Sequence, residues 1–404
     1  MLLEVEFENC FAFNEKITFS MQADMRTKRL PYNVLEIKEH IDVLKSAVIY
    51  GPNNTGKTNF VTCMSCLKST LLNRPFYTLK SNVFNEKNTV SIVKLKLLCS
   101  GNVYTYMYKY DTLTNEYLYE EFSQIITDKH GNETFKNLLL RDCINNNYKS
   151  IDKKLEEFLP LISKNNIIIY SIEEEKFDIL KTIKTILFDF GSKLVILDMN
   201  RINENKTIMY LKRKDDKTKK MVELIKNADL YLDDYYIDDE SINESLNNFM
   251  NYDISKKIVS VYKNKSFSSY EYDSVGTKKF ASLASYIIDA IEKGKILIID
   301  EIDSSLHFKL TRAIVSLFNN SINTKAQLIC TSHDISLLDC KYLFRKEQIW
   351  FTNKTDTTTE LYSLKKFNSN DDGIRENSDL ISKYEKGFFA SIPEPNLIEG
   401  LYEE

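Results

Sequence analysis

A loop of eight residues, Gly51-Pro-Asn-Asn-Thr-Gly-Lys-Thr58, carries the clearest chemical signal in the sequence. It matches the pattern G-x-x-x-x-G-K-[ST], in which backbone N–H groups of a glycine-rich loop surround phosphate oxygens. An apolar run precedes the loop and a helical pattern follows it, which places the phosphates at the positive end of a helix. This context favours a nucleoside triphosphate site over a glycine turn with a chance lysine.

The side chains of this loop have distinct expected roles. Lys57 would reach the β- and γ-phosphates and assist catalysis, and the Thr58 hydroxyl would be a ligand of Mg²⁺. We therefore expect ATP and Mg²⁺ as cofactors. The residues predicted to contact the nucleotide here are Gly51, Asn53, Asn54, Thr55, Gly56, Lys57, Thr58 and Asn59.

Two carboxylates end the apolar run Ile296-Leu-Ile-Ile-Asp300-Glu301. A strand buried on both faces would deliver Asp300 at its carboxyl end, where parallel sheets place ligand-facing residues. We expect Asp300 to bind in the magnesium shell and Glu301 to polarise the attacking water. The simpler alternative, a strand ended by surface acids, is disfavoured by the phosphate loop in the same chain.

A histidine ends a further apolar run, Ala326-Gln-Leu-Ile-Cys-Thr-Ser-His333. An isolated histidine is usually uninformative. This one follows Asp300 in the order expected for the next strand of a parallel sheet, whose carboxyl end faces the ligand. We therefore predict that His333 senses the γ-phosphate and belongs to the catalytic residues.

Ser274-Val-Gly276 precedes an amphipathic stretch and lies upstream of Asp300. A serine and a glycine at a helix N-terminus suit an anion. Taken alone, the pair is better explained as an ordinary helix cap. Its order, after the phosphate loop and before the two carboxylates, favours a contact with the nucleotide.

These motifs need a scaffold that brings their loops to one edge, and the chain shows the rhythm of an α/β fold. Alternating polar and apolar residues indicate an antiparallel meander before a charged, mostly helical middle. The predicted elements are strands at 2–7, 16–20 and 47–50, a helix from 57 to about 72, a meander at 90–127, helices within 141–252, strands at 258–262 and 269–272, a helix at 276–293, a strand at 295–300, a helix at 304–319, and strands at 326–331, 348–352 and 358–364.

Composition narrows the class of protein. The 404 residues are 43% hydrophobic and 28% charged, which is typical of a globular protein. No apolar run reaches the roughly 20 residues that span a bilayer, and the acidic N-terminus does not resemble a signal peptide, so we expect a cytoplasmic protein without membrane contact. The seven scattered cysteines argue against a disulfide framework. Cys63 and Cys66 form a C-x-x-C that favours helix packing over a metal site.

The ordered set of motifs resembles the ABC-type ATPase head of SMC, Rad50, RecF and OLD proteins. A narrower similarity is to the bacterial AAA15-type ATPases, which include the AbiLi and RloA abortive-infection proteins. It covers both ends of the chain and weakens through the middle. The segments that carry it are residues 274–280, 299–307, 327–334, 337–339, 348–351 and 383–393.

The resemblance implies a shared site. Ser304, Ser305 and His307 would form the D-loop at a dimer interface, with Ser305 near the nucleotide. Ser274 and Gly276 would contact the γ-phosphate bound by the opposite subunit, so ATP would lie between the two heads of a homodimer or higher oligomer.

One expected motif, the Q-loop, has no clear counterpart. Gln124 is the one glutamine between the phosphate loop and Ser274, which makes it the conventional candidate and a further magnesium ligand. It lies, however, in a predicted strand. The identity of the Q-loop residue therefore stays open.

The fold class expected from this resemblance is α/β, an ABC-type P-loop ATPase head with an antiparallel β-subdomain and a mostly helical insertion. We assign residues 1–135 to an N-terminal ATPase lobe with the phosphate loop and the meander. Residues 136–255 are assigned to the helical insertion, and 256–404 to a C-terminal ATPase lobe. The insertion is too short for a long coiled-coil arm, and no sustained heptads are present.

The leading hypothesis is an ATPase that acts as sensor or regulator of an anti-phage, abortive-infection system. About 70 residues follow His333, too few for the Toprim nuclease domain of OLD proteins. The expected effector, such as a Toprim-like nuclease, would then be a separate chain.

Two alternatives stay open. One is a DNA repair or maintenance clamp of the RecF or SMC kind, and the other is the ATPase subunit of a transporter. The basic run at residues 212–220 would contact nucleic acid in the first case. Two aspartates interrupt that run, however, and a solvated helix face is the simpler interpretation.

Overall fold

The computed structural model describes residues 1–38, 41–74, 76–128, 131–173, 176–228, 230–238, 257–367, 372–375 and 378–389. The strands within these ranges are β1 (Leu2–Glu8), β2 (Ile17–Ser20), β3 (Val34–Lys38), β4 (Ile41–Leu44), β5 (Ser46–Tyr50), β6 (Val90–Cys99), β7 (Asn102–Asp111), β8 (Glu116–Thr127), β9 (Glu133–Asp142), β10 (Asn147–Ser150), β11 (Leu194–Asp198), β12 (Asp234–Ile237), β13 (Ile258–Tyr262), β14 (Lys265–Ser268), β15 (Ile296–Asp300), β16 (Gln327–Thr331), β17 (Ile349–Lys354) and β18 (Thr359–Ser363). The helices are α1 (Lys57–Leu71), α2 (Lys153–Phe158), α3 (Ile168–Ser171), α4 (Asp178–Lys193), α5 (Asn205–Arg213), α6 (Asp216–Lys226), α7 (Ser269–Tyr272), α8 (Val275–Lys293), α9 (Phe308–Phe318) and α10 (Leu380–Glu385).

A six-stranded sheet, in the order β11-β15-β16-β5-β17-β18, forms the centre of the molecule. Its first five strands are parallel, and β18 pairs antiparallel with β17. Every residue of β5, β15 and β16 is buried. Such strands are covered on both faces, which explains their continuous apolar runs. The predicted α/β class is confirmed.

Alternate residues of β5 enter two different hydrophobic cores. Ala47 and Ile49 face the core that contains α1, α4 and the antiparallel sheet, whereas Val48 and Tyr50 face the core that contains α8 and α9. This division follows from the two-residue period of a strand. The phosphate loop at the end of β5 is therefore anchored from both sides of the sheet.

A second, seven-stranded sheet has the order β10-β9-β8-β7-β6-β1-β2, and all of its neighbouring strands are antiparallel. It confirms the predicted meander and extends it through β10. Phe60 of α1 packs on Phe7 and Phe19 of this sheet, with ring centroids 6.2 and 4.9 Å apart. The helix that follows the phosphate loop is thus held between the two sheets.

The charged middle of the chain is more closely built into the core than its composition indicates. It contains α2 to α6, but it also contributes β11, an edge strand of the central sheet beside β15. The boundary predicted at residue 135 falls inside β9. The end of the predicted helical stretch, from residue 239 to 252, lies outside the described residues, as do residues 253–256 and the tail at 390–404. The three-part domain division stays a prediction.

Two predicted elements differ in the structure. Residues 269–272 form the helical turn α7 rather than a strand, because the Ser269 hydroxyl donates to the Asp273 carboxylate four residues on, at 2.6 Å. The predicted helix at 304–319 begins only at Phe308. Residues 304–307 form a turn with Ser305 in the left-handed region at φ 63°, and the His307 side chain accepts the Lys309 N–H as a cap.

The cysteine pair of α1 belongs to the core. Cys63 and Cys66 are buried free thiols, and burial raises the pKa of Cys66 to about 12. They therefore pack as neutral thiols. Within the described ranges, no group of three or more His, Cys, Asp or Glu side chains is arranged to hold a metal ion. No helix in this part of the chain is long and apolar enough to cross a membrane.

A buried ion pair joins the middle of the chain to the antiparallel sheet. Arg141 of β9 is fully buried and pairs with Glu120 of β8. Arg141 also donates to the backbone oxygens of Ser163 and Asn166, at 2.8 and 3.1 Å. The Glu120 carboxylate accepts the Ile168 N–H at 3.2 Å. These contacts fix the chain between β10 and α3 onto the sheet.

Replacement of Arg141 by Ala is expected to lower the free energy of unfolding by about 3–5 kcal/mol, because it leaves the buried Glu120 carboxylate without its ion-pair partner. Urea denaturation followed by circular dichroism measures this difference. Lys176→Ala, which removes an exposed pair with Glu173, is the matched control and should change stability by less than about 0.5 kcal/mol. Equal losses in the two variants would contradict this assignment.

Candidate active site

The phosphate loop leads directly from β5 into α1. Gly56 occupies the N-cap of α1 at φ 98°, a backbone conformation that residues other than glycine rarely adopt. The buried Lys57 side chain curves back, and its Nζ donates to the backbone oxygens of Gly51 and Pro52 at 2.7 and 2.9 Å. The ammonium group therefore lies inside the loop, where phosphate oxygens would replace these two carbonyls.

Two glycines of the loop allow it to rest directly on β17 and β18. A Cβ on Gly51 would lie 2.0 Å from Thr352 Oγ1, and one on Gly56 would lie 2.8 Å from Thr359 Cγ2. Thr55 Oγ1 lies 2.8 Å from Thr352 Oγ1 and donates to the Pro52 oxygen at 2.8 Å. These contacts fix the curvature of the loop. Asn53, Asn54 and Thr58 are exposed on its open side, and Asn59 is half-buried.

Thr331, the last residue of β16, contacts both acidic residues, the side chain of Asp300 and the backbone of Glu301. Its hydroxyl donates to Asp300 Oδ1 at 2.5 Å and accepts the Glu301 N–H at 2.8 Å. Asp300 is 6% exposed, whereas Glu301 is half-buried and adopts a left-handed backbone at φ 53°. Because of this turn, the side chains of Asp300 and Glu301 leave the backbone in different directions. Sequence reasoning placed both acids but did not identify Thr331.

Charges of the site act on one another. Burial lowers the pKa of Lys57, and Asp300 and Glu301 oppose this shift. The pKa of His333 is lowered by partial burial and then by the Lys57 charge, although its imidazole remains in contact with solvent. The backbone N–H of His333 donates to the Asp303 carboxylate at 3.2 Å. Lys57, Asp300, Glu301 and His333 thus form one cluster of interacting charges.

Ser274, Gly276 and Ser305 lie in a separate cavity of about 520 Å³. Ser274 Oγ accepts the Thr277 N–H at 3.1 Å and caps α8. A Cβ on Gly276 would lie 2.5 Å from the Ser305 backbone oxygen. No residue of the 51–58 loop lines this cavity. The structure therefore brings Ser274 to the predicted D-loop of its own chain, and not to its own phosphate loop.

Asp273 fixes the position of Ser274. Its buried carboxylate accepts three hydroxyls, from Ser260 at 2.9 Å, Tyr262 at 2.6 Å and Ser269 at 2.6 Å. Two of these residues belong to β13 of the small sheet β12-β13-β14. The N-terminus of α8 is thereby tied to that sheet.

Gln124, predicted as a magnesium ligand, is not brought to this site. Cross-strand pairs link Gln124 to Tyr104, Tyr104 to Leu97, and Leu97 to Leu2. The Leu2 N–H donates to Gln327 Oε1 at 2.8 Å, at the amino end of β16. Asp300 and Glu301 lie at the carboxyl ends of the parallel strands, which is the opposite edge.

Asn200 is a site residue that sequence reasoning missed. It follows β11, and its Nδ2 donates to Glu301 Oε2 at 2.6 Å. A signal for Asn200 was present in the sequence: the apolar run 194–197 is followed by Asp198, just as the apolar run before Glu301 is followed by Asp300.

A second missed feature is a cavity of about 270 Å³ beside the amino end of α1, lined by Asn59, Phe11 and Phe84 among others. Its aromatic lining suits a nucleobase.

Comparison with known families decides the class of the chain. The family model described as "AAA domain, putative AbiEii toxin, Type IV TA system" matches residues 46–339. The chain belongs to this family. The match begins at β5 and continues past His333, so it includes the phosphate loop, both carboxylates and the Ser274 cavity. The chain is therefore a P-loop ATPase domain with the motif order of an ABC-type head.

Solved structures that resemble the chain include three SMC heads. The SMC head domain from Thermotoga maritima shares 10% identity at a TM-score of 0.44, covering 90% of this chain and 98% of that chain. An Smc head bound to the C-winged helix domain of ScpA shares 12% at 0.41, covering 90% and 97%. The Smc head with an extended coiled coil from Pyrococcus furiosus shares 10% at 0.38, covering 90% and 96%. No curated protein sequence matches significantly.

Replacement of Gly276 by Ala is expected to lower the free energy of unfolding by about 1–3 kcal/mol, because the new Cβ overlaps the Ser305 carbonyl. In most helices the same change stabilises by about 0.5–1 kcal/mol, so the sign alone is informative. Urea denaturation gives the value. Val275→Ala, at the neighbouring exposed position, is the control and should have little effect. A stabilised G276A variant would show that the helix and the D-loop are not in contact.

Proposed function

We propose that this chain hydrolyses ATP within a dimer of two heads. The observation that carries the proposal is the convergence of Lys57, Asp300 and Glu301 at the carboxyl ends of β5 and β15, the two parallel strands that flank β16. Phosphates bind the backbone N–H groups of the loop and the Lys57 ammonium. The base enters the cavity between Asn59 and Phe84, next to the amino end of α1.

Oxygen ligands available at this edge fit Mg²⁺. The Thr58 hydroxyl is exposed beside the loop, and Asp300 presents a buried carboxylate whose Oδ1 is held by Thr331. Such hard oxygen donors are what Mg²⁺ prefers. A bound Mg²⁺ would neutralise charge on the β- and γ-phosphates. Glu301 then orients and deprotonates the attacking water, and His333 donates a hydrogen bond to the γ-phosphate.

The dimer is inferred from the two cavities. Ser274 and Gly276 lie together with Ser305 in a cavity that contains no residue of the phosphate loop. An anion at the N-terminus of α8 must therefore come from outside this nucleotide pocket. The γ-phosphate held by the loop of a second copy supplies such an anion, which makes each active site a property of two chains.

Glu301→Gln is expected to retain ATP binding while hydrolysis falls by about 10²–10⁴-fold, since an amide is not a general base. ATP then persists and the dimer accumulates, which light scattering coupled to size exclusion measures. Lys57→Ala should weaken ATP binding by at least about tenfold and leave the protein monomeric. Glu360→Gln, an exposed glutamate of β18, is the control. Unchanged hydrolysis in both site variants would refute the assignment.

We propose further that the ATPase is the sensor or regulator of an anti-phage, abortive-infection system whose effector is a separate chain such as a Toprim-like nuclease. The name of the matched family, with a toxin of a type IV toxin–antitoxin system, supports a growth-arresting role. The described residues supply one nucleotide site and no cluster of acids able to hold a nuclease metal, which supports an effector elsewhere.

Expression with the neighbouring gene is expected to reduce phage plating and to arrest growth on infection, whereas either gene alone should have no effect. Lys57→Ala should abolish this protection because the head no longer binds ATP. Efficiency of plating and culture density after infection are the readouts. Full protection by the Lys57→Ala variant would contradict an ATP-dependent role.

Within the described residues, the ion pairs of the basic run do not favour the alternative of a DNA clamp. Lys217 and Lys220 of the basic run pair with Glu292, at 2.9 and 2.7 Å, and Lys219 pairs with Asp216. These lysines are engaged by acids of the same chain. The run thus forms a solvated helix face on α6 rather than an open phosphate track.

A further inference from the structure

Asn200 lies where the middle of the chain meets the nucleotide edge of the central sheet. In the register of β11 with β15, Asp198 stands opposite Asp300. The turn after β11 is closed by the Asn200 N–H, which donates to Asp198 Oδ1 at 2.8 Å. This turn aims the Asn200 side chain at Glu301, whose Oε2 accepts the Nδ2 donor at 2.6 Å.

The other end of the same amide reaches the D-loop. Asn200 Oδ1 accepts the Ser304 hydroxyl at 2.7 Å. Ser304 Oγ in turn accepts a hydrogen bond from the Lys279 ammonium at 2.9 Å, and Lys279 also donates to Ser305 Oγ at 3.3 Å. A continuous chain of hydrogen bonds therefore runs from helix α8, two turns or less from Ser274, to the Glu301 carboxylate.

The proton arrangement of this chain is determined by chemistry. A carboxylate only accepts, so the amide nitrogen must face Glu301 and the amide oxygen must face Ser304. An ammonium only donates, so the Ser304 hydroxyl accepts a hydrogen bond from Lys279 and donates one to Asn200. The hydrogen bonds therefore all run in one direction, from Lys279 through Ser304 and Asn200 to Glu301. No reversed arrangement satisfies the same four groups.

A simpler interpretation is a surface asparagine that closes a turn. The backbone N–H alone would do that, and it leaves both side-chain atoms free. Instead, both atoms contact residues of the site on another segment of the chain. Within the described residues, Asn200 provides the one side-chain hydrogen bond that the Glu301 carboxylate receives.

We propose that Asn200 is a positioning residue for Glu301, which it orients for catalysis and links to the D-loop and to helix α8. The inference rests on the proposed ATPase function. Holding Oε2 leaves Oε1 to contact water. Because α8 begins at the residues that meet the second copy's nucleotide, docking of that copy moves Ser304 and Asn200 together and sets the position of the base.

Steady-state ATPase kinetics of three variants test this role. Asn200→Ala should lower kcat by about 10- to 100-fold, as expected for loss of a hydrogen bond to a charged group, with KM for ATP unchanged. Asn200→Asp keeps the acceptor for Ser304 but places a like charge against Glu301, so kcat should fall at least as far. Arg201→Ala, next in the chain and paired only with Asp198 at the surface, should match the wild type.

A double-mutant cycle tests the link. Ser304→Ala should lower kcat in the wild-type background but have little further effect in Asn200→Ala, since both act through one chain of hydrogen bonds. Independent, additive effects would overturn the link. Full activity of Asn200→Asp beside an inactive Asn200→Ala would show a structural role for the acceptor alone and overturn the positioning role.

The two proposals fail in distinguishable ways. If Glu301→Gln hydrolyses ATP as the wild type does, the proposed function itself is wrong. If Glu301→Gln is inactive while Asn200→Ala and Asn200→Asp both behave as Arg201→Ala does, only the inference about Asn200 is wrong.

Discussion

The site depends on two hydrogen bonds made by the hydroxyl of Thr331. It joins the ends of β15 and β16 by donating to Asp300 and accepting from the Glu301 backbone. The second bond holds Glu301 in a left-handed conformation, which is uncommon for a residue with a side chain. Without it, successive residues would continue the strand and point to opposite faces of the sheet. The turn instead keeps both carboxylates at the edge that faces the phosphate loop.

Much of this site was predictable because its signals are local. The phosphate loop, the run before Asp300 and the run before His333 are each contiguous, and strands buried on both faces have no polar interruptions to confuse their assignment. The left-handed turn at Glu301 and the role of Thr331 were not predictable, because they depend on the register of two strands that are distant in sequence.

Two of the features that sequence reasoning missed depend on long-range strand pairing, and a third depends on a local side-chain hydrogen bond. Gln124 was chosen for its residue type and order, but the register of the meander carries it to the amino ends of the parallel strands. The predicted, mostly helical middle of the chain also supplies β11, and with it Asn200, which sequence reasoning did not identify. Residues 269–272 alternate as a strand does, whereas one side-chain bond to Asp273 stabilises a helical turn.

Close contact between Gly276 and Ser305 has a consequence for how two heads would work. The first turn of α8 and the D-loop touch through backbone atoms, so they move as one unit. Lys279 and Ser304 extend that unit to Asn200, and Asn200 extends it to Glu301. In the proposed dimer, a phosphate bound at Ser274 would therefore be connected through these contacts to Glu301, which would serve the other nucleotide. Such a connection would make the two sites interdependent, which would suit a switch that responds to ATP occupancy better than an enzyme built for steady turnover.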